Sequence, residues 1–172
     1  MFEKKFRMNR AILSLGTNIG EKSTNLSAAV ELLAAIPCTV KNKSSIYRTA
    51  AWGNTDQPSF FNQVIAIETE YDAFMLMDKI LGIENKMGRV RNRKWEPRII
   101  DIDILFFNEE IINSERLVIP HPHLHERRFV LEPLHELFPG LMHPVLQQTV
   151  SRLHDAVADS APVEKLNMIP QE

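Results

Sequence analysis

The chain of 172 residues contains a single cysteine and no long hydrophobic run. One thiol, that of Cys38, cannot form an internal disulfide framework or a cysteine-rich zinc site. No uninterrupted apolar segment approaches the roughly 20 residues that a membrane-spanning helix requires. The basic start, MFEKKFRMNR, leads into a predicted strand, so we predict no signal peptide and expect a cytoplasmic protein.

An excess of basic residues is also missing. The net charge of −2 and the isoelectric point near 6.3 give no general support for a nucleic-acid partner, and we expect no membrane partner either. The hydrophobic content of 44% is enough for a real core. We therefore expect one domain over residues 1–172, with residues 160–172 as a loosely held tail. We also expect a monomer.

The most informative segment spans residues 95–107 and reads WEPRIIDIDILFF. Its β-branched and aromatic residues predict a strand, on which side chains alternate between two faces. One face then carries Asp101 and Asp103, with their Cα atoms roughly 6.5–7 Å apart. The other face carries the apolar side chains of Ile100, Ile102, Ile104 and Phe106. Two close carboxylates on a buried element need a positive partner, and their oxygens suit Mg²⁺. The alternative is an exposed strand face with solvated acids.

A cluster of cationic residues precedes these carboxylates. It consists of Arg89, Arg91, Arg93, Lys94 and Arg98, opposed only by Glu96. Gly88, Trp95 and Pro97 predict a loop here. Arginine can donate two hydrogen bonds to one phosphate, so a cationic loop beside two aspartates favours a polyphosphate and Mg²⁺ site. The alternatives are a solvated basic loop or a nucleic-acid patch.

Hydrophobic periodicity predicts alternating elements along the chain. Strands are predicted at residues 10–15, 40–47 and 62–69, and helices at residues 26–36 and 73–87. Asp72 is a predicted N-cap of the second helix and Gly88 its end. On that helix one stripe is expected to hold Phe74, Met77, Leu81 and Glu84. The carboxylate strand follows, then a hairpin through residues 108–110. The order β-α-β-β-α-β predicts a ferredoxin-like α+β sandwich with appended C-terminal helices.

Two patterns suggest other sites and are weaker. Residues 16–23, GTNIGEKS, resemble a phosphate-binding P-loop, but Glu21 occupies the position of the second glycine. We expect this turn to form the floor of a site or to cap the helix. His121, His123 and His125 alternate as metal ligands could, but Pro122 breaks the geometry and no cysteine or acid supports zinc.

Several short motifs, in order over roughly residues 10–140, resemble the 6-hydroxymethyl-7,8-dihydropterin pyrophosphokinase family of folate biosynthesis. The central motif is Arg91 followed by Trp95-x-Pro97-Arg98-x-x-Asp101-x-Asp103. The others are Leu15-Gly16-Thr17-Asn18, Tyr47-Arg48-Thr49, Asp56-Gln57-Pro58, Phe61-Asn62, Arg116-Leu117, Pro120-His121-Pro122 and Arg127-x-Phe129-Val130-Leu131-x-Pro133-Leu134.

The resemblance implies transfer of pyrophosphate from ATP to the hydroxymethyl group of the reduced pterin, which leaves AMP. It implies that Asp101 and Asp103 hold two Mg²⁺ ions and that ATP is the co-substrate. The implied catalytic residues are Arg89, Arg91, Arg98, Asp101 and Asp103. The implied ATP-binding residues are Glu84, Arg89, Arg91, Trp95, Arg98, Ile104, Arg116, His121 and Arg127.

The same resemblance implies a pterin pocket made of Thr49, Ala50, Ala51, Trp52, Phe60, Asn62 and Phe129. Two phenylalanines can enclose a flat ring, and an asparagine offers both a donor and an acceptor to its amide edge. For Phe60 and Phe129 the alternative is plain core packing.

Three other functions remain open from the sequence. A ferredoxin-like RNA-binding module would need exposed aromatics on a basic strand, whereas the strand here carries acids. A Mg²⁺-dependent nuclease could use the two aspartates but leaves Asn62 unexplained. An inactive pterin- or nucleotide-binding module would be expected to lack Asp101, Asp103, Arg91 or Asn62, and all four are present.

Overall fold

The computed structural model describes residues 8–51, 57–89 and 97–167. The larger strands are β1 (Asn9–Thr17), β2 (Cys38–Lys43), β3 (Ile46–Thr49), β4 (Phe60–Thr69) and β5 (Asp101–Phe107). The short strands are β6 (Ile112–Asn113), β7 (Val118–Ile119), β8 (Met142–His143), β9 (Gln148–Thr149) and β10 (Val163–Leu166). The helices are α1 (Lys22–Ala34), α2 (Ala73–Lys86), α3 (Arg128–Leu137) and α4 (Val150–Ala156), with a 3₁₀ turn at Leu124–Glu126.

The central sheet is antiparallel and contains the predicted ferredoxin-like core. Strand β1 lies between β4 and β5, and β4 pairs on its other side with both β2 and β3. Helices α1 and α2 connect the strands in the predicted order. The remaining helices, α3 and α4, follow β5 in the chain, as predicted.

Two hydrophobic cores cover the two faces of this sheet. On one face, Leu13 of β1 and Ile65 of β4 belong to the same cluster as the buried side chains of α1 and α2. On the other face, Val64 of β4 belongs to a cluster with Leu131 and Leu134 of α3 and with α4. The sheet is therefore the middle of three layers, and α3 is fixed against the face on which Val64 lies.

Helix α2 begins where the sequence predicts. The Asp72 carboxylate accepts a hydrogen bond from the Met75 amide at 2.8 Å, and Gly88 follows the helix with a positive φ of 87°. The apolar stripe predicted on α2 is wrong by about one position along the helix. Leu76, Ile80 and Ile83 face the core, whereas Phe74 is exposed. Glu84 is nevertheless buried at the end of that face.

Strand β5 contains an irregularity that the alternation rule does not predict. Leu13 pairs with Ile104 and Ile12 pairs with Phe106, so Leu105 has no partner across the ladder. Leu105 and Phe106 therefore both enter the α3 core, and the prediction that Phe106 shares a face with the isoleucines is wrong. The alternation does hold on the N-terminal side, where Ile102 and Ile104 face the α1 and α2 core.

Three further expectations need correction. The strand predicted at residues 40–47 is two strands, β2 and β3, separated at Ser44 and Ser45. A turn follows β5 at Asn108 (φ 48°). The next strand, β6, pairs with β7 and not with β5, so the hairpin predicted through residues 108–110 is wrong. Within the expected tail, β10 pairs with β3, which adds a strand to the sheet edge. Among the described residues, no helix is both long enough and apolar enough to cross a membrane.

Candidate active site

A cavity of about 120 Å³ opens where β1, β3, β4 and β5 meet the start of α3. Its wall contains acids, arginines, aromatic rings and one buried amide. The residues lining it are Ser14, Gly16, Thr49, Ala50, Ala51, Gln57, Phe60, Asn62, Arg98, Asp101, Asp103, Arg127 and Phe129. The structure thus brings two separately predicted groups, the carboxylates and the aromatic-amide pocket, into a single wall.

The two aspartates occupy the predicted face of β5. Asp101 lies opposite Gly16, and Asp103 lies opposite Ser14 in the ladder with β1. Burial, followed by the negative charges of Asp101 and Glu84, raises the pKa of Asp103 to about 7. A nearby divalent cation would relieve this repulsion, so the donor set fits Mg²⁺.

No group of three or more acidic, histidine or cysteine side chains among the described residues can hold a metal ion. The two aspartates alone would leave most coordination positions of Mg²⁺ to water and to oxygens of a ligand. The arrangement therefore suits an ion that is shared with a phosphorylated molecule.

Two arginines already contact Asp101. Arg98 Nη1 binds Oδ2 of Asp101, and Arg89 Nη1 lies 2.6 Å from Oδ1. Arg89 also binds the carboxylate of Glu84, whose Oε1 accepts a hydrogen bond from the Ile102 amide at 2.8 Å. Glu84 therefore ties the end of α2 to the strand that carries both aspartates.

Asn62 holds a fixed position at the opposite part of the cavity. Its side-chain Nδ2 donates to Thr49 Oγ1 at 2.8 Å, and both residues are buried. A Cβ built on Gly16 would lie 3.2 Å from Asn62 Oδ1, closer than a relaxed contact. A glycine in the strand therefore leaves room for the asparagine, and Gly16 lines the cavity.

Both predicted aromatic residues lie at the cavity wall and are only half-buried. The guanidinium of Arg98 is 6.0 Å from the ring centre of Phe60, and that of Arg127 is 5.9 Å from the ring centre of Phe129. Each ring thus has a cation close to it and a surface open to a ligand. Phe129 also packs against the core that contains α3, so its ring belongs both to the cavity wall and to the core.

Sequence reasoning gave no role at the site to several residues, and Asn18, the last residue of the Leu15-Gly16-Thr17-Asn18 motif, is the most connected of them. Asn18 is 1% exposed, and its Oδ1 accepts from the Arg98 amide at 2.7 Å. Its Nδ2 donates to Gln57 Oε1 at 3.2 Å and to the Pro58 carbonyl at 3.4 Å. Asn18 therefore joins the end of β1 to the segments on either side of the cavity. Ser14 and Gln57, which line the cavity, were also missed.

Some predicted residues lie away from the cavity. Ile104 is buried in the α1 and α2 core. Arg116 is exposed between β6 and β7, and its Nη2 binds Asp78 Oδ1 of α2 at 2.8 Å. Three predicted residues, Trp52, Arg91 and Trp95, lie outside the described residues.

His121 follows β7, and its backbone amide donates to the Leu105 carbonyl at 3.0 Å. Burial, and then the charges of Arg127 and His123, lower the pKa of His121 to about 4. The ring is therefore neutral at pH 7. Its Nδ1 accepts from the His123 amide at 3.2 Å, so the proton of the neutral ring lies on Nε2. His121 thus offers a hydrogen-bond donor without a full positive charge.

Paired carboxylates, arginines and an amide between aromatic residues suit a metal-bound polyphosphate beside a flat heterocycle. A sequence model of 7,8-dihydro-6-hydroxymethylpterin-pyrophosphokinase (HPPK) matches residues 12–139. The chain belongs to this family.

Bacterial relatives support the same assignment. The chain is 49% identical over 136 residues to the 2-amino-4-hydroxy-6-hydroxymethyldihydropteridine pyrophosphokinase of Methylorubrum extorquens, covering 78% of this chain and 86% of the relative. It is 46% identical to the Bacillus subtilis protein of the same name, over 75% of this chain and 78% of the relative. It is 39% identical to that of Haemophilus influenzae, over 93% of this chain and 99% of the relative.

Solved structures share the fold at lower identity. Wild-type Plasmodium falciparum HPPK-DHPS with pterin and p-hydroxybenzoate matches with a TM-score of 0.69 at 19% identity, over 89% of this chain and 44% of that one. A second structure of the wild-type protein, with STZ-DHP, gives a TM-score of 0.71 at 20% identity, over 87% and 43% of the two chains. This chain therefore spans less than half the length of those proteins, and the likeness concerns the fold.

Proposed function

We propose that the chain transfers pyrophosphate from ATP to the hydroxymethyl oxygen of 6-hydroxymethyl-7,8-dihydropterin and releases AMP. As a member of its family, the chain is a pyrophosphokinase of folate biosynthesis. The observation that carries the proposal is the shared cavity, where Asp101 and Asp103 lie in the same wall as Asn62. A transfer reaction between two molecules requires such a juxtaposition of two binding regions.

In this proposal Asp101 and Asp103 hold two Mg²⁺ ions together with the triphosphate. When bound, these ions would neutralise charge on the phosphate oxygens and orient the chain of phosphates. Arg89, Arg91 and Arg98 would bind further phosphate oxygens, where guanidinium groups stabilise developing charge. The remaining nucleotide contacts would come from Glu84, Trp95, Ile104, Arg116, His121 and Arg127.

The pterin would occupy the part of the cavity that surrounds Asn62. Phe60 and Phe129 would lie against its flat ring, and Asn62 would pair with its amide edge. Thr49 holds the Asn62 amide in one orientation, which leaves Asn62 Oδ1 as an acceptor on the Gly16 side. The rest of the pocket would be formed by Ala50, Ala51 and Trp52.

The reaction then needs no nucleophilic side chain. The pterin hydroxyl is the attacking group, and the chain's contribution is to hold it in line with the β-phosphorus. Asp101 and Asp103 would act as metal ligands, so neither is assigned as a strong general base. Exclusion of water from the cavity would protect the transfer from hydrolysis.

A nuclease would also use paired aspartates, but it would have no use for the buried Asn62 and Thr49 pair beside two half-buried phenylalanines. We further propose that residues 1–172 act as one catalytic domain and as a monomer. Size-exclusion chromatography with light scattering would give a mass near 19.8 kDa, and twice that mass would contradict the monomer.

Steady-state nucleotide analysis tests the proposed reaction. The protein is incubated with ATP and Mg²⁺, with and without 6-hydroxymethyl-7,8-dihydropterin, and the nucleotides are separated. AMP that forms only with the pterin, without ADP, is the expected result. ATP binding without AMP formation would favour an inactive binding module.

A further inference from the structure

Two arginines already bind the Asp101 carboxylate, and these contacts affect how a divalent cation can reach it. Both oxygens of Asp101 are engaged, Oδ2 by Arg98 and Oδ1 by Arg89. The side chains are partly shielded from water, at 22% exposed for Asp101, 24% for Arg98 and 12% for Arg89. Charge-assisted hydrogen bonds are stronger in such a shielded place than on an open surface.

We propose that Arg89 and Arg98 make this carboxylate site selective for a metal–polyphosphate complex over the free divalent cation. The inference deepens the proposed function and rests on it for the identity of the polyphosphate. Each arginine would have two alternative anionic partners, the Asp101 carboxylate when the site is free and phosphate oxygens when nucleotide is bound. The metal would gain the carboxylate only when the arginines have another anion to bind.

The charges of the described side chains support this selectivity. Three carboxylates and three guanidinium groups of the described residues meet here: Glu84, Asp101 and Asp103 beside Arg89, Arg98 and Arg127. A divalent cation entering alone would add positive charge beside these guanidinium groups. ATP carries about four negative charges, so its arrival would bring anionic partners for the guanidinium groups together with the divalent ions.

Other residues of the chain also hold Arg89 in place. Its guanidinium also binds Glu84, which is 1% exposed and is held by the Ile102 amide. The Arg89 backbone amide donates to the Glu84 carbonyl at 3.0 Å. Arg98 is anchored through its backbone, where its amide and carbonyl both bond to Asn18. Both arginines are thus kept beside Asp101, and removing the Arg98 side chain preserves its backbone contacts.

The test measures Mn²⁺ binding to the full chain without nucleotide, from the loss of the electron paramagnetic resonance signal of free Mn²⁺. We expect Arg98→Ala to bind Mn²⁺ at least about tenfold more tightly than the native protein, because one charge-assisted partner of Asp101 is lost. Arg98→Lys keeps a positive charge and should stay within about threefold of the native value. Arg10→Ala removes an arginine that lies 3.5 Å from Glu68 at a distant, exposed position, and it should leave binding unchanged.

Two additions make the result specific. Combining Asp101→Asn with Arg98→Ala should remove the gained affinity, which places the ion at Asp101. Circular dichroism and thermal unfolding would show that each variant is folded, and Arg89→Ala provides a second variant with the same expected direction. Mn²⁺ affinity of folded Arg98→Ala and Arg89→Ala equal to that of the native protein would overturn the proposal.

A second arm separates this inference from the proposed function. α,β-Methylene ATP itself chelates Mn²⁺, so the signal of a protein-free sample with the same analogue is subtracted. After this subtraction the analogue should increase the Mn²⁺ bound to the native protein, and the gain should be smaller in Arg98→Ala. No effect of the ATP analogue on the native protein would contradict nucleotide binding, whereas the arginine effect on free Mn²⁺ would still be measured. Equal gains in the native protein and Arg98→Ala would overturn the exchange of partners.

Discussion

Replacing Asn18 by alanine removes a connection between both sides of the cavity. The side chain makes three hydrogen bonds, to Gln57, Pro58 and Arg98, from a position that is 1% exposed. With roughly 1 kcal/mol for each bond, and a further cost for buried groups left unpaired, Asn18→Ala should lower the free energy of unfolding by about 2–4 kcal/mol. Urea denaturation of the native protein and the variant measures this difference.

The same change should affect the reaction, because Gln57 lines the cavity and Arg98 contacts Asp101. We expect kcat/KM for the pterin to fall by about tenfold, equivalent to about 1.4 kcal/mol of transition-state stabilisation. Asn18→Asp keeps the acceptor for the Arg98 amide, but it places a buried carboxylate oxygen against the Gln57 and Pro58 oxygens, so it should lose at least as much stability as Asn18→Ala. Asn42→Ala, at an exposed position of β2, is the control and should change stability by less than about 0.5 kcal/mol. A similarly small change for Asn18→Ala would refute the reasoning.

Four other changes address separate parts of the site and fold. Asp103→Ala should abolish turnover while leaving the fold intact, and unchanged activity would contradict the metal assignment. Asn62→Ala should raise the KM for the pterin by about tenfold and change the KM for ATP by less than about twofold, since it removes a donor and an acceptor from the pterin side only. Equal effects on both KM values would contradict the assignment of Asn62 to the pterin pocket. Gly16→Ala should weaken pterin binding, because the new Cβ would lie 3.2 Å from Asn62 Oδ1. It should cost little stability, because alanine reduces the entropy of the unfolded chain. A calorimetric pterin affinity equal to the native one would count against this prediction. Burial tends to raise the pKa of Glu136, but hydrogen bonds from Tyr47 and Ser45 outweigh this effect and lower the pKa. The ionised carboxylate therefore stabilises the folded protein, and this stability should be lost as the pH falls below about 4.5. Urea denaturation across that range should show a smaller pH dependence for Glu136→Gln, and an identical dependence would contradict the assignment.

Local patterns predicted much of the fold correctly. The Asp72 cap, the end of α2 near Gly88 and the common face of Asp101 and Asp103 depend on neighbouring residues, and the structure contains each of them. The same rules failed where pairing with a distant strand decides the outcome. The unpaired Leu105 moves Phe106 to the other core, and β10 is a strand because it pairs with β3. Neither effect is present in the periodicity of the segment itself.

The candidate site shows the same division. Residues with distinctive chemistry, such as Asn62 and the two aspartates, could be selected from the sequence, and the structure places them in one cavity. Asn18 could not be selected as a link, since its partners Gln57 and Arg98 are 39 and 80 residues away in the chain. The position of Arg116 beside Asp78, away from the cavity, likewise depends on a contact between residues 38 positions apart in the chain.

Mass spectrometry of the pterin product tests the central claim most directly. The protein is incubated with ATP, Mg²⁺ and 6-hydroxymethyl-7,8-dihydropterin, and the pterin and nucleotide products are quantified together. The proposed reaction predicts a pterin that has gained a diphosphate group, in an amount equal to the AMP formed. A pterin carrying a single phosphate together with ADP, or AMP released with free pyrophosphate and an unchanged pterin, would contradict it.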